Sequence, residues 1–382
     1  MHPLLLLFTA NVALGVTLDT EGLPDTGLDT SGWTKGALPP LADMFDLNDM
    51  QLAAKNVLPA KYYASYRTGA LNEYTYRANL EVYAKVRLNG FSFRDVSNVS
   101  TSALLGQQSW ATPFRSRSSS RRPRRQVTRT RPPKRPSRAA AGSAGILYVP
   151  SISSTLPIEA IAAAGRAGQV MFHQMYVWAN HSRVVDELAR IEAAGFKALF
   201  VTVDNTGIAG VRTRSMRYTP GSDTGHAANF DLHALAAFRN LTTLPIVPKG
   251  IKTWQDARTC LRLGFRAVYV SNHGGRVLDG APTAVEVLVD IQKHAPEVFA
   301  GMEVYADGGV RRGTDALILL ALGARAVGLG RPPMFANVWG EAGVSRMAAL
   351  LARELGTSMQ LMGVRDVREL NGSYVNTNAV GY

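Results

Sequence analysis

Residues 267–279 read AVYVSNHGGRVLD, and the predicted fold depends on this pattern. Four apolar residues form a run of strand length, and a turn with two glycines follows it directly. His273 and Arg276 lie three residues apart on this turn. Both could act on one small anion, the histidine as a base and the arginine as a carboxylate clamp.

Similar apolar runs recur on both sides of this stretch. They lie at residues 146–149, 170–172, 198–203, 244–247, 267–270, 302–305 and 326–329. Helical patterns such as residues 184–194 and 314–322 separate them. Apolar strands that alternate with amphipathic helices predict a parallel α/β sheet, and seven units are one short of a TIM (β/α)8 barrel. We therefore predict this barrel, with a helical segment at residues 47–89 over the barrel or its mouth.

Polar residues stand where the predicted strands end. They are Ser151, Gln174 with Tyr176, Thr202 with Asp204, Lys249, Ser271 with His273, Asp307 to Arg311, and Gly330 with Arg331. The functional groups of such a barrel come from the C-terminal ends of its strands. One of these residues alone would more often be a strand cap, but seven in register predict one site.

Two consecutive loops suit a phosphate group. The loop DGGVRRGTD, residues 307–315, follows an apolar run and opens a helix, so its backbone amides and arginines could bind an anion. Gly330 and Arg331 end the next run. Barrels commonly bind phosphate after their last two strands, which is where these loops lie.

Two further residues extend the predicted chemistry. Lys249 would point into the mouth of the barrel, where its charge could stabilise a reduced cofactor, although a solvated lysine is the alternative. Asp204 is a candidate partner for His273, because a carboxylate fixes the tautomer of a histidine and stabilises its charged form. The single cysteine, Cys260, excludes a disulfide framework and a cysteine zinc site. Redox chemistry would therefore need a bound cofactor, and no metal site is predicted.

The formal net charge of +13 over 382 residues is concentrated in one segment. Residues 115–138 hold eleven basic and no acidic side chains, and without them the net charge is +2. This composition cannot form a buried strand, because unpaired buried guanidinium groups are costly. The segment lies just before residue 146, where the missing first strand of the barrel should be.

The termini lie outside the barrel pattern. Residues 1–18 resemble a signal peptide but lack a basic start, so secretion and a cytoplasmic location both stay open. Residues 19–46 form an N-terminal extension, residues 47–370 the barrel, and residues 371–382 a tail. No other stretch reaches the length of about 20 apolar residues that a membrane span needs, and no membrane partner is predicted.

Together these motifs resemble the FMN-dependent 2-hydroxy acid oxidase and dehydrogenase family, which includes glycolate oxidase, lactate 2-monooxygenase and the flavocytochrome lactate dehydrogenases. The likeness runs from about Leu47 to Gly363, with a gap at the basic segment, and residues 271–279 and 307–315 are its most specific parts. It implies oxidation of a lactate-like 2-hydroxy acid to the 2-oxo acid by FMN, with oxygen or another electron acceptor, in a homo-oligomer. The chain before Leu47 is too short for a haem domain, so the flavocytochrome type is not expected.

The resemblance also implies a role for each matching residue. His273 would take a proton from the substrate and Asp204 would orient it, while Arg212 and Arg276 would bind the substrate carboxylate and Tyr176 would contact its hydroxyl. The flavin ring and ribityl contacts would be Ser151, Gln174, Thr202, Lys249 and Ser271. The ribityl and phosphate end would be held by Asp307, Gly309, Arg311, Gly330 and Arg331.

The sequence departs from the family at two places. Ser65 falls where the family has an active-site tyrosine, with Tyr63 and Tyr66 as neighbours. The basic segment replaces the first strand, a flavin-contacting turn and the first helix at nearly unchanged length. Such a replacement is typical of an out-of-frame reading or a misplaced splice junction, and a patch for nucleic acid or an anionic surface and a solvated loop are the alternatives.

Three functions therefore compete. The first is the flavoenzyme, and the second is a non-catalytic relative whose barrel stays open without its first strand. The third is nucleic-acid binding through residues 115–138, which we disfavour because the segment lacks aromatic side chains for base stacking.

Overall fold

A computed structural model describes residues 19–99, 141–142, 145–166, 168–205, 207, 210–218 and 225–380. Two predicted features, the signal-like residues 1–18 and the basic segment 115–138, lie outside the described residues. The residues that were predicted to form the site all lie within them.

Six parallel strands form the central sheet, in the order in which they follow along the chain. They are β2 (His173–Met175), β3 (Leu199–Thr202), β4 (Ile246–Ile251), β5 (Ala267–Val270), β6 (Glu303–Asp307) and β7 (Ala326–Gly328). A second sheet pairs β1 (Arg87–Leu88) with β8 (Val375–Asn376) in antiparallel fashion. The run at residues 146–149 was predicted as a strand, but the structure gives this edge only isolated parallel bridges, from Tyr148 to Met171 and from Ser151 to Gln174.

Helices precede and separate these strands. The N-terminal helices are α1 (Leu47–Val57), α2 (Ala60–Arg67) and α3 (Tyr74–Glu81). Those of the sheet region are α4 (Ile158–Ala163), α5 (His181–Ala193), α6 (Thr213–Met216), α7 (Leu232–Phe238), α8 (Trp254–Arg262), α9 (Ala284–His294), α10 (Glu297–Gly301), α11 (Gly313–Ala321), α12 (Arg331–Ala336) and α13 (Glu341–Leu361). The prediction of helix across residues 47–89 is wrong at its end, because Arg87 and Leu88 pair with the C-terminal residues instead.

The two faces of the sheet have separate cores. Side chains alternate along a strand, so one set points to the inside of the curved sheet and the other to the helices. The inner cluster consists of Phe172, Ala198, Phe200, Val247, Ala267, Tyr269 and Tyr305. Phe200 packs edge-on against Phe172 and Tyr269, with centroids 5.6 and 5.1 Å apart, and each such pair contributes about 0.5–1.5 kcal/mol beyond its burial.

This alternation delivers polar residues to the mouth of the sheet. On strands β2 to β6, the residue two positions after the last inner apolar residue is polar, and its side chain faces the same side of the sheet. The pairs are Phe172 with Gln174, Phe200 with Thr202, Val247 with Lys249, Tyr269 with Ser271, and Tyr305 with Asp307. The inner cluster thus closes the bottom of the space that these polar groups line.

The terminal regions pack against this framework. Leu28 and Trp33 of the extension lie against a cluster formed by Met44 and residues of α1, α12 and α13. In the predicted tail, Tyr374, Val375 and Val380 are buried. Among the described residues no helix is both long and apolar enough to cross a membrane.

Candidate active site

The turn after β5 holds His273 in an unusual backbone conformation. His273, Gly274 and Gly275 have φ angles of +58°, +62° and +71°, so three left-handed residues follow one another. For a residue other than glycine this conformation is uncommon, and at functional sites it persists because surrounding contacts hold it. Asn272 supplies such contacts, since its amide pairs reciprocally with the amide of Asn79 on α3 at 2.9 and 2.8 Å.

His273 lies between two polar partners. Its Nδ1 is 2.9 Å from Oδ1 of Asp204, and its Nε2 is 3.3 Å from the hydroxyl oxygen of Tyr176. Asp204 is buried. Burial alone would raise the pKa of Asp204, but its interaction with His273 and the charges of Lys249 and Lys252 outweigh burial and lower it. An ionised Asp204 accepts the Nδ1 proton and leaves the Nε2 lone pair directed to the Tyr176 side, as a general base requires.

A glycine leaves the space that the Asp204 side chain occupies. Gly250 has φ +112° at a bulge in β4, and a Cβ atom there would lie 2.5 Å from the Asp204 side chain. Any larger residue would push the carboxylate away from His273.

Arg212 and Arg276 converge on one backbone group. Nη1 of Arg212 and Nη2 of Arg276 donate to the carbonyl oxygen of Ser65, at 3.0 and 3.1 Å. The neighbouring Tyr63 and Tyr66 belong to a buried cluster with Phe335. Two guanidinium groups fixed at one carbonyl and close to His273 form a suitable clamp for a carboxylate.

The remaining strand ends form a continuous polar row. Nε2 of Gln174 donates to the Thr202 hydroxyl at 2.9 Å, and Nζ of Lys249 donates to the Ser271 hydroxyl at 3.0 Å. Lys249 also lies 3.4 Å from Oδ2 of Asp307. Burial would lower the pKa of Lys249, but Asp307 and Asp204 raise it, so the ammonium stays charged. Ser151 borders this row through its bridge to Gln174.

The loop after β6 differs from this row in its hydrogen bonding. Oδ1 of Asp307 and Nε of Arg311 are buried and have no hydrogen-bond partner among the described residues. Arg311 is buried, which lowers its pKa. Gly309 has φ +75°, and a Cβ atom there would lie 1.7 Å from the Asn79 carbonyl oxygen. Apart from Gly330 itself and its two chain neighbours, no heavy atom of the described residues lies within 4 Å of the position that a Cβ atom on Gly330 would occupy.

Arg331 bonds to backbone carbonyls outside this loop. Its guanidinium donates to the carbonyl oxygens of Tyr66, Gly274 and Thr68, at 3.0, 2.9 and 3.1 Å. Burial and the nearby arginines lower its pKa to about 10. These bonds tie the end of α2 to the His273 turn, a role that the sequence did not predict.

Several positioning residues were also missed. Asn79 and Asn272 hold the turn, and Asp279 accepts from the backbone N–H groups of Asn72 and Thr75 at 3.1 and 2.9 Å, which satisfies the start of α3. Each of these bonds joins residues about 200 positions apart in the chain. Asp279 stands in the quoted stretch, but nothing in its local pattern identifies a helix 200 residues earlier as its partner.

Known proteins share both the sequence and the architecture. The sequence model of a family described as FMN-dependent dehydrogenase matches residues 54–228 and 221–377. A peroxisomal (S)-2-hydroxy-acid oxidase of Oryza sativa subsp. japonica is 33% identical over 360 residues, covering 87% of this chain and 96% of the relative. The L-lactate dehydrogenase (cytochrome) of Wickerhamomyces anomalus is 30% identical over 90% of this chain, which spans 63% of that relative's length.

Solved structures agree with these matches. A mutant flavocytochrome b2 with pyruvate bound superposes with a TM-score of 0.79 at 28% identity, covering 90% of this chain and 89% of that one. A mandelate oxidase with (S)-2-phenylpropionate gives a TM-score of 0.72 at 32% identity, covering 87% and 98%. These likenesses and the parallel sheet with its helices confirm the predicted TIM-barrel type of fold.

Proposed function

The chain belongs to the FMN-dependent dehydrogenase family, and from this membership we propose that it oxidises a 2-hydroxy acid to the 2-oxo acid with FMN as its cofactor. One observation carries the proposal: His273 lies between Asp204 and Tyr176, beside two arginines that converge on one carbonyl. A base, a hydroxyl and a carboxylate clamp are the groups that a 2-hydroxy acid needs.

The residues at the mouth of the sheet fit FMN. The partnerless oxygen of Asp307 and nitrogen of Arg311 are an acceptor and a charged donor, as a ribityl hydroxyl and a phosphate would require. Gln174, Thr202, Lys249, Ser271 and Ser151 would contact the flavin ring and the ribityl chain. Asp307, Gly309, Arg311 and Gly330 would hold the ribityl and phosphate end. Arg311 would be the principal phosphate cation, because Arg331 makes three bonds to backbone carbonyls.

Each side chain then has one step in the reaction. The carboxylate of the substrate binds Arg212 and Arg276, and the hydroxyl of Tyr176 contacts the substrate hydroxyl. Nε2 of His273 accepts a proton from the substrate, and Asp204 stabilises the imidazolium that results. Bound FMN would accept two electrons from the substrate, and the positive charge of Lys249 would stabilise the reduced flavin.

The names of the relatives indicate the class of substrate. Their printed names include a 2-hydroxy-acid oxidase, a lactate dehydrogenase and a mandelate oxidase. We propose a lactate-like 2-hydroxy acid as substrate, oxygen or another carrier as electron acceptor, and a homo-oligomeric assembly. For the location we propose either secretion, because residues 1–18 resemble a signal peptide, or the cytoplasm, because these residues lack a basic start.

Anaerobic flavin reduction tests the proposal. The purified chain, reconstituted with FMN, should be yellow, and its flavin absorbance should bleach on addition of L-lactate, glycolate or mandelate. A chain that retains no FMN after reconstitution, or whose flavin stays oxidised with all three acids, would contradict it. Retained FMN without bleaching would instead favour the non-catalytic relative.

A further inference from the structure

Four buried or half-buried charges form a closed ring beside the candidate active site. Arg67 lies 2.6 Å from Glu21 and 2.5 Å from Glu73. Arg214 lies 3.2 Å from Glu73 and 3.6 Å from Glu21. The two acids and the two arginines therefore alternate around the ring, and every member has two neighbours of opposite charge.

Three of the four side chains are deeply buried. The exposed fractions of the side chains are 9% for Glu21, 5% for Glu73 and 5% for Arg67, against 49% for Arg214. Burial would lower the pKa of Arg67, but Tyr76, Glu21 and Glu73 raise it, so its charge is kept. Removal of one acid from such a ring leaves two arginine charges to share the other, which is unfavourable away from water.

Glu21 is held in the ring at a cost to its backbone. Its φ angle is +57°, in the left-handed region that non-glycine residues avoid. Lys55 lies 3.3 Å from one carboxylate oxygen and the Tyr63 hydroxyl 3.2 Å from the other. The extension thus turns back on itself to bury a carboxylate, and such local strain persists where surrounding contacts fix it.

The ring is adjacent to the clamp in the chain. Arg67 is two residues beyond Ser65, whose carbonyl holds both clamp arginines, and Arg214 is two residues beyond Arg212. Glu73 belongs to the same unit, since it also accepts from the backbone N–H of Gly69 at 2.9 Å. A shift of Arg214 would therefore carry Arg212 with it, because α6 begins directly after Arg212.

We propose that Glu21 is a positioning residue that acts through Arg214 to hold Arg212 where the substrate carboxylate binds. The N-terminal extension is then part of the machinery for substrate affinity. This inference rests on the proposed function, because it assigns the clamp to a carboxylate substrate.

The first test is Glu21→Gln, which keeps the shape of the side chain and removes its charge. KM for the 2-hydroxy acid should rise about five- to tenfold, as expected for loss of one charge-assisted contact, while kcat changes less than about twofold. The Kd for pyruvate, measured by calorimetry on the FMN-loaded protein, should rise by the same factor. Asp25→Asn is the matched control, because Asp25 is an exposed acid of the same extension whose carboxylate accepts from the backbone N–H of Gly27, at 2.9 Å. An unchanged KM in Glu21→Gln would overturn the inference.

A double-mutant cycle separates positioning from general destabilisation. Arg214→Gln should raise KM by a similar factor, and the double variant should be no worse than Arg214→Gln alone. Multiplied effects would overturn the inference, because Glu21 would then act by another route. If Glu21→Gln does not fold, Arg214→Gln breaks the same link at the half-exposed end, and an unchanged KM there would equally overturn it.

The pyruvate measurement distinguishes this inference from the proposed function. Flavin that no 2-hydroxy acid bleaches would overturn the proposed function. Equal pyruvate Kd values in the wild type and in Glu21→Gln, or no pyruvate binding by either, would overturn the inference.

Discussion

The loops that follow β5 and β6 lie side by side, yet their polar groups are satisfied in different ways. In residues 271–279, Asn272, His273 and Asp279 all bond to protein groups from other segments. In residues 307–315, Asp307 and Arg311 each keep a buried polar atom without a hydrogen-bond partner among the described residues. Buried polar atoms without partners are rare in folded proteins, so the second pair fits contacts to a ligand.

One helix serves both loops and explains how they can differ. Asn79 of α3 pairs its side chain with Asn272, and its carbonyl oxygen lies against Gly309. The hydroxyl of Tyr83, just beyond α3, donates to the carbonyl of Gly308. The protein therefore fixes the backbone of both loops, but in the loop after β6 it leaves Oδ1 of Asp307 and Nε of Arg311 without a hydrogen-bond partner among the described residues. The turn that carries His273 is thus preorganised by the chain itself, while the loop after β6 would depend on FMN for part of its bonding.

The largest expected effect comes from the base. His273→Asn tolerates the left-handed backbone but removes the imidazole, so kcat should fall about 10²- to 10⁴-fold with FMN content unchanged. Flavin reduction by L-lactate in stopped flow measures this, and His233→Asn, an exposed histidine on α7, is the matched control. Loss of FMN from His273→Asn would contradict the proposed difference between the two loops, because the His273 loop would then be part of the cofactor site.

Two buried aspartates, one on each side, should respond to pH in opposite directions. Burial raises the pKa of Asp315 to about 6, so the folded state holds a proton that the unfolded state releases between about pH 4 and 6. Stability from this group is present below pH 4 and lost as the pH rises through 6. Asp204, with a lowered pKa, contributes stability above about pH 4 that is lost as the pH falls further.

Urea unfolding of Asp315→Asn measures this difference. Its stability relative to the wild type should improve by about 3 kcal/mol between pH 4 and pH 7, since one pKa unit corresponds to about 1.4 kcal/mol. Asp315 also accepts from the backbone N–H of Arg312 at the start of α11, and loss of this contact adds a cost that does not depend on pH. Asp204→Asn is the control, and its relative stability should improve only below pH 4. A flat difference for Asp315→Asn would show that the carboxylate is ionised throughout, held by the backbone N–H groups of Arg311 and Arg312.

A smaller effect is expected at the phosphate end. Arg311→Met keeps the length of the side chain and removes a charged donor, so the Kd for FMN should rise about 10- to 100-fold. Fluorescence titration with FMN measures it, and Arg353→Met, an exposed arginine on α13, is the control. A Kd for FMN within twofold of the wild-type value would indicate that Arg331 binds the phosphate instead. The difference between the two loops would then be smaller.

The strand ends could be predicted from the sequence because each apolar run of strand length is followed directly by polar residues. The prediction was displaced at β2, where residues 170–172 were chosen and His173–Met175 form the strand. His173 and Gln174 are buried polar residues, so the apolar pattern ends before the strand does. The partners of Asn272, the ring around Glu21 and the bonds of Arg331 could not be predicted. They join polar residues that are far apart in sequence, and each of these residues taken alone resembles an ordinary surface position.

The smallest expected effect tests whether the backbone of Ser65 or its side chain serves the clamp. Arg212 and Arg276 both bond to the Ser65 carbonyl, and this bonding does not depend on the side chain. Ser65→Ala should therefore change kcat/KM for L-lactate by less than about twofold, as expected for a substitution that removes no bond of the clamp. Ser182→Ala, which changes an exposed serine on α5, is the control and shows how large a change in kcat/KM an unrelated substitution causes. A loss of tenfold or more in Ser65→Ala alone would mean that the hydroxyl contacts the substrate. The catalytic side would then resemble the cofactor side, with a side chain whose bonding is completed by a ligand.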